Sequence, residues 1–251
     1  VKALAGLLAL VLAVLPATAV AQPSQFAHWA AVVVAGDFHA HSGGPTEAFD
    51  NARRDVAAAL VSAGFSPENI QQFSVRPERY PDQKLLPSTA SVIAGSLNHL
   101  ASQARDGCLI YFSSHGNPDG ILVGDSLFSP AGLSRMVDEA CGARPTVVIL
   151  SACFSGVFLP ALADANRAIM TAARPDRSSF GCSESAKYPY YDDCILSSFP
   201  QVGDFLALAQ AARACVARRE AAEGLSPASE PQIAIGPAIR PVLPFYAFGK
   251  P

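Results

Sequence analysis

The chain is poor in charge. Of its 251 residues 16% are Asp, Glu, Lys or Arg, against 50% hydrophobic, and the formal net charge is −3. Without a basic stripe it has no electrostatic footprint for a nucleic-acid backbone, and without an acidic run it has no solvated tail of one sign. A G-x-S-x-G nucleophile elbow and a Gly-rich phosphate loop are both missing, which disfavours two large enzyme classes. Internal repeats and low-complexity linkers are missing as well. A chain of this length and apolar content can bury a full core, so residues 22–251 read as one α/β domain ending in a Pro-rich tail.

Long apolar runs are confined to the start. Lys2 supplies a minimal positive region, Ala3 to Leu15 an uncharged apolar one, and Ala19-Val20-Ala21 a small-x-small cleavage pattern. That run is short for a membrane span, which needs ~20 residues. Residues 1–21 are therefore expected to be a secretory signal cleaved before Gln22. No cysteine follows to take a lipid and no later segment is long enough to span, so the mature chain is expected to be exported, to a periplasm or outside the cell.

What is present is a β-α alternation. Apolar runs predict strands at Trp29 to Gly36, Ile70 to Val75, Cys108 to Ser113, Thr146 to Ala152, Arg167 to Ala173 and Pro231 to Gly236. Helical patterns fill the intervals at Phe49 to Ala63, Thr89 to Ala104, Pro130 to Ala140, Tyr190 to Ser198 and Phe205 to Ala222. Arg76 to Ser88 and Pro175 to Pro189 read as loops. Two of the strands end in reactive residues, YFSSHG at His115 and VVILSACFSG at Cys153. One helix separates them, so a right-handed crossover lays the strands side by side and brings imidazole and thiol to one sheet edge.

This arrangement resembles the caspase-like cysteine peptidases, and among them the legumain family. The strand-ending His115-Gly116 and Ala152-Cys153 match that family's catalytic elements. Ala35-Gly36, the helix start Asp50 to Asp55, Ile169 to Ala173 and Arg177 to Cys182 follow in the family's order. The resemblance implies a three-layer α/β/α sandwich around a mostly parallel six-stranded sheet, no cofactor, and a polypeptide substrate. It also implies the roles: Cys153 as nucleophile, His115 as its base, the amides of Gly116 and Cys153 as oxyanion donors. Asparagine-selective members of the family carry an acidic residue two positions before the nucleophile, where this chain has Ser151. Their pocket arginine precedes the first helix, where Gly43 to Asp50 contains none, and Arg53 and Arg54 fit only with a shift. A rebuilt pocket is expected, using Ser151, Ser178 and Ser179 and showing little preference for asparagine.

Export changes how the six cysteines read. Cys108 and Cys141 both lie at the amino ends of the two site-bearing strands, far from the reactive tips, and could bridge there; Cys194 and Cys215 fall on successive helices and could do the same. Cys182, in the segment that builds the legumain pocket, would then stay free beside Cys153. Six small buried thiols are the alternative. Two rival functions stand beside the peptidase. Asp37, His39 and His41, with His115 nearby, have the residue types of a metal-dependent hydrolase. The same fold without turnover would be a binding module. His28 and His99 have no companions and read as surface or core-edge residues.

Overall fold

A computed structural model describes residues 24–249, so the leader read at 1–21 lies outside the described residues. Strand β1 (Trp29–Ala35) is followed by α1 (Ala48–Ala63), β2 (Ile70–Ser74), β3 (Leu86–Pro87), α2 (Ala90–Gln103) and β4 (Gly107–Ser113). An excursion through β5 (Gly116–Asn117), β6 (Gly120–Val123) and β7 (Ser126–Phe128) precedes α3 (Pro130–Cys141) and β8 (Thr146–Ser151). The chain then passes through a short α4 (Leu159–Leu162), β9 (Arg167–Thr171), α5 (Tyr190–Ser198), α6 (Phe205–Ala222) and β10 (Gln232–Ile235).

The main sheet has the order β10-β9-β8-β4-β1-β2-β3, with only β10 antiparallel to its neighbour. It has seven strands where six were expected. The extra one, β3, falls in the stretch read as a Pro-rich loop and pairs Leu86 with Phe73 and Pro87 with Ser74. Two residues carry no periodicity to read, and a proline without an N–H fits the sheet edge where β3 lies. The second departure is the small sheet β5-β6-β7. Its first turn is closed by Asn117 Oδ1, which accepts from the amides of Asp119 (2.8 Å) and Gly120 (3.1 Å).

Alternation along the strands sorts the core into two layers. Ala31, Val33, Leu109, Tyr111, Val147, Ile149 and Met170 face one side, against Val56 and Leu60 of α1, Ile195 of α5 and Leu208 and Val216 of α6. Ala30, Val32, Ile110, Phe112, Val148 and Leu150 face the other, against Ile93 and Leu97 of α2 and Leu133 and Val137 of α3. Strands buried on both faces must be continuous apolar runs, which is why they were legible. Three helices start at a side-chain cap: Thr89 accepts from Val92 N before α2, Ser129 from Gly132 N before α3 and Asp204 from Ala207 N before α6.

Two disulfides staple these layers. Cys108 of β4 joins Cys141 at the end of α3 (Cα–Cα 6.1 Å), and Cys194 of α5 joins Cys215 of α6 (5.6 Å). Both pairings match the expected ones, and Cys153 and Cys182 are free. The Pro-rich segment after β10 is more than a tail: Ile239 and Leu243 are buried, and Phe248 stacks on Phe199 at 4.7 Å. Among the described residues, no helix is long and apolar enough to cross a membrane.

Candidate active site

The β4–β8 ladder sets the position of both reactive side chains. Its last pair is Ser113 opposite Ser151, extended by a bond from Ser114 N to Ser151 O at 3.0 Å. Two residues past that pair on each strand stand His115 and Cys153, at the carboxyl edge of the sheet. They share a cleft of about 1310 Å³ with Gly116, Ser178, Ser179 and Cys182. Gly116 lies so close to Cys153 that a Cβ there would stand 2.3 Å from the Cys153 carbonyl oxygen. Only glycine lets the two strand ends meet.

His115 is held on one side. Its Nε2 donates to the carbonyl of His39 at 2.9 Å, and Phe49 packs edge-on against the ring with centroids 5.1 Å apart. A carbonyl only accepts, so Nε2 keeps its proton and Nδ1 is left as the acceptor. Behind the carbonyl is Asp37, 5% exposed. Its Oδ1 accepts from Phe38 N (2.6 Å), His39 N (3.2 Å) and His39 Nδ1 (2.8 Å), and its Oδ2 lies 4.0 Å from His115 Nε2. Asp37 thus shapes the turn that presents the His39 carbonyl. An orienting group of this kind was not evident from the sequence.

Asp37 and His39, the core of the metal reading, are spent on each other, while His41 sits on the cleft wall. Among the described residues, no group of three or more His, Cys, Asp or Glu is placed to hold a metal ion.

Cys153 sits at a sharp turn. Phe154, next in the chain, has φ 56°, a left-handed conformation that costs a bulky residue of order 1–3 kcal/mol. Its amide is held by Arg177 O at 2.8 Å. The Cys153 Sγ accepts from Ser179 N at 3.2 Å and lies 3.4 Å from Ser179 Oγ. Among the described residues, the Cys153 amide has no backbone acceptor.

The expected wall residues divide. Ser178 and Ser179 line the cleft. Ser151 is one layer below it, 2% exposed, and its Oγ donates to Asp192 Oδ2 at 2.8 Å. Asp192, on α5, was not singled out by the sequence. It also accepts from Ser113 Oγ at 2.8 Å and from the Tyr111 hydroxyl. Burial pushes its carboxyl up to about 7, with the three hydroxyls pulling it back down. Burial likewise holds the Cys182 thiol well above its ordinary value, helped by the charges of Cys153, Asp192 and Asp37. Cys182 is held as a protonated thiol beside Cys153.

Both arginines considered for a pocket role are committed elsewhere. Arg53 is buried, bonded to Asp50 (3.2 Å), Gln72 (2.7 Å) and Gln83 (3.0 Å), with Tyr80 under its guanidinium. Arg54 pairs with Asp55 at the surface. The cleft wall is tied instead by one main-chain and one hydroxyl bond between the loop after β1 and the loop after β9, His41 N to Cys182 O (2.8 Å) and Thr46 Oγ1 to Ser183 O (3.0 Å).

Comparison with known proteins agrees with this geometry. The model of the peptidase C13 family matches residues 31–204. No curated protein sequence matches the chain. Many solved structures share the fold, among them caspase-1 from Spodoptera frugiperda, at 14% identity and a TM-score of 0.60, covering 85% of this chain and 88% of that one. At that identity the likeness speaks for the fold.

Proposed function

The chain belongs to the peptidase C13 family, the legumain group of caspase-like cysteine peptidases, and from that premise we propose that it is an endopeptidase acting through a dyad of Cys153 and His115. The observation that carries the proposal is the shared cleft: a thiol and an imidazole two residues past one ladder pair, the imidazole turned by the His39 carbonyl so that Nδ1 is free. His115 Nδ1 takes the thiol proton as Cys153 Sγ attacks the scissile carbonyl carbon. The negative charge on the carbonyl oxygen is met by the amides of Gly116 and Cys153. The imidazolium gives its proton to the leaving amine, which departs as the C–N bond breaks and leaves an acyl-thioester. Water, deprotonated by His115, then releases the acid and restores the thiol. An amine in place of water would make the same site a transpeptidase.

The cleft favours no asparagine-reading pocket. Ser151 faces Asp192 rather than the substrate, and Arg53 and Arg54 are spent on other partners. A peptide library cut by the mature protein reads both points, with Cys153→Ala alongside. The expected result is Cys153-dependent cleavage without dominance of asparagine. Activity surviving in Cys153→Ala would remove the dyad. A preference for asparagine above about tenfold, or ~1.4 kcal/mol, would restore an amide-reading pocket. A folded wild type that cuts nothing in the library would favour the binding module. The leader at 1–21 and the two disulfides support export, which detection of mature chain in a periplasmic or culture fraction tests.

A further inference from the structure

Helix α5 delivers a carboxylate to the underside of the site. Asp192 is fully buried, and its Oδ2 accepts from both Ser113 Oγ and Ser151 Oγ, each at 2.8 Å. These two serines face each other in the ladder, Ser113 two residues before His115 and Ser151 two before Cys153. Oδ1 takes the Tyr111 hydroxyl from further down β4. One oxygen thus grips both strand tips at the last ladder position.

We propose that Asp192 is a positioning residue: it locks the ends of β4 and β8 together and so fixes the separation and bearing of His115 and Cys153. The inference rests on the dyad reading above. Beyond the Ser114 N to Ser151 O bond the two chains still touch at Gly116 and Cys153 but share no further ladder bond: His115 O accepts from Leu122 N, and Phe154 N turns to Arg177 O. Asp192 acts where the ladder ends and no further hydrogen bond between the strands constrains the tips. Burying a carboxylate is costly, and apolar packing would fill this layer more cheaply, but apolar contacts let strands slide where hydrogen bonds fix direction. The anchor itself is fixed. Asp192 lies in the first turn of α5, where a negative charge suits the helix dipole, and Cys194 two residues later is bonded to α6.

Asp192→Asn keeps the shape but sets an amide donor against hydroxyl donors. Three readouts apply: kcat and KM on a cleaved peptide, the second-order rate of Cys153 alkylation by iodoacetamide, and the melting temperature. The alkylation needs no substrate pocket, so it reports the dyad alone. We expect kcat to fall about 10–100-fold with KM within about threefold, and alkylation to slow at least about tenfold, since a ~1 Å misplacement is enough for such losses. Ser113→Ala and Ser151→Ala, each removing one donor and leaving Asp192, should lose about 3–10-fold in kcat by the same route, and decide the matter if Asp192→Asn does not fold. Folded variants with kcat and alkylation within about twofold of wild type would overturn the proposal, and so would a change in KM alone, which would make Asp192 a pocket residue. If wild-type Cys153 is alkylated no faster than Cys182 and Cys153→Ala still cuts, the dyad reading fails and takes this proposal with it.

Discussion

The carbonyl of His39 receives the Nε2 proton of His115 at 2.9 Å, so a backbone group, supplied by a residue 76 positions earlier, chooses the tautomer of the imidazole. For the proposed dyad the choice matters because it leaves Nδ1, and only Nδ1, as the acceptor for the thiol proton.

Substitution should therefore separate the His39 side chain from its backbone. His39→Ala keeps the carbonyl and should retain kcat within about threefold, whereas Asp37→Ala loosens the turn behind it and should lower kcat about tenfold or more. His115→Ala should remove nearly all turnover. Steady-state kinetics of the three variants checks the order; equal losses at His39 and Asp37 would mean that the His39 ring is itself required.

Gly116→Ala should be the most damaging small change in the cleft. The new Cβ meets the Cys153 carbonyl oxygen, a backbone atom that cannot swing aside. Overpacking of this kind costs about 1–3 kcal/mol, and here the displaced atoms belong to the proposed dyad. Thermal unfolding should show that modest loss while turnover drops at least about 100-fold.

Stability should carry a signature of Asp192 between pH 4 and 8. Its folded carboxyl is raised to about 7 by burial, against about 3.9 in an unfolded chain. A raised folded value means that the native state holds the proton more tightly, so its stabilising effect is complete below about pH 4 and lost as pH rises through about 7. Three pH units at ~1.4 kcal/mol each give a change on the order of 4 kcal/mol. Urea unfolding of wild type and Asp192→Asn should show the wild-type advantage shrinking by several kcal/mol across that range. A difference independent of pH would mean that Asp192 is ionised in both states.

The two disulfides should separate stability from activity. Each closes a loop, with sequence separations of 33 and 21, and removal of either should cost on the order of 3–4 kcal/mol. Cys108→Ala with Cys141→Ala lies at the far end of the strands, roughly 20 Å from the cleft at ~3.3 Å per residue. Its kcat should persist. Cys194→Ala with Cys215→Ala loosens α5 two residues from Asp192 and should lose kcat as well. Matched kinetics and melting curves on the two pairs test the contrast.

How far the sequence revealed this site follows from what each part is made of. The strands bearing His115 and Cys153 were legible because burial on both faces forces uninterrupted apolar runs. The disulfides were legible because both members of each pair lie on elements the topology brings together. Asp192 was not: in YYDDC nothing marks which of two adjacent aspartates turns inward, and only the docking of α5 decides it. His39 was read as a metal ligand because its side chain is conspicuous, while the group it contributes is a carbonyl that any residue could supply. Ser151 was placed at the cleft wall because the resembling family puts a pocket residue two positions before its cysteine, whereas here the docking of α5 buries Ser151 against Asp192. The β5-β6-β7 sheet did leave a signal, the Asn117-Pro118-Asp119-Gly120 turn before the apolar Ile121 to Val123.

The distance between thiol and imidazole is stored as a count of residues beyond the final ladder pair, two on each strand. Deleting one residue inside Thr146–Ser151 would draw Cys153 back by ~3.3 Å and turn its side chain to the opposite face, and the same deletion in β4 would do this to His115. Between the strands, Gly124 N is held by Gly36 O at 2.9 Å, but the exposed Asp125 next to it has no such arithmetic to keep, and residues inserted after it would be taken up outside the main sheet. Divergent copies of this chain can therefore gain length after Asp125 without penalty to the chemistry, while the stretches from the ladder to His115 and to Cys153 are closed to insertion and deletion of any size.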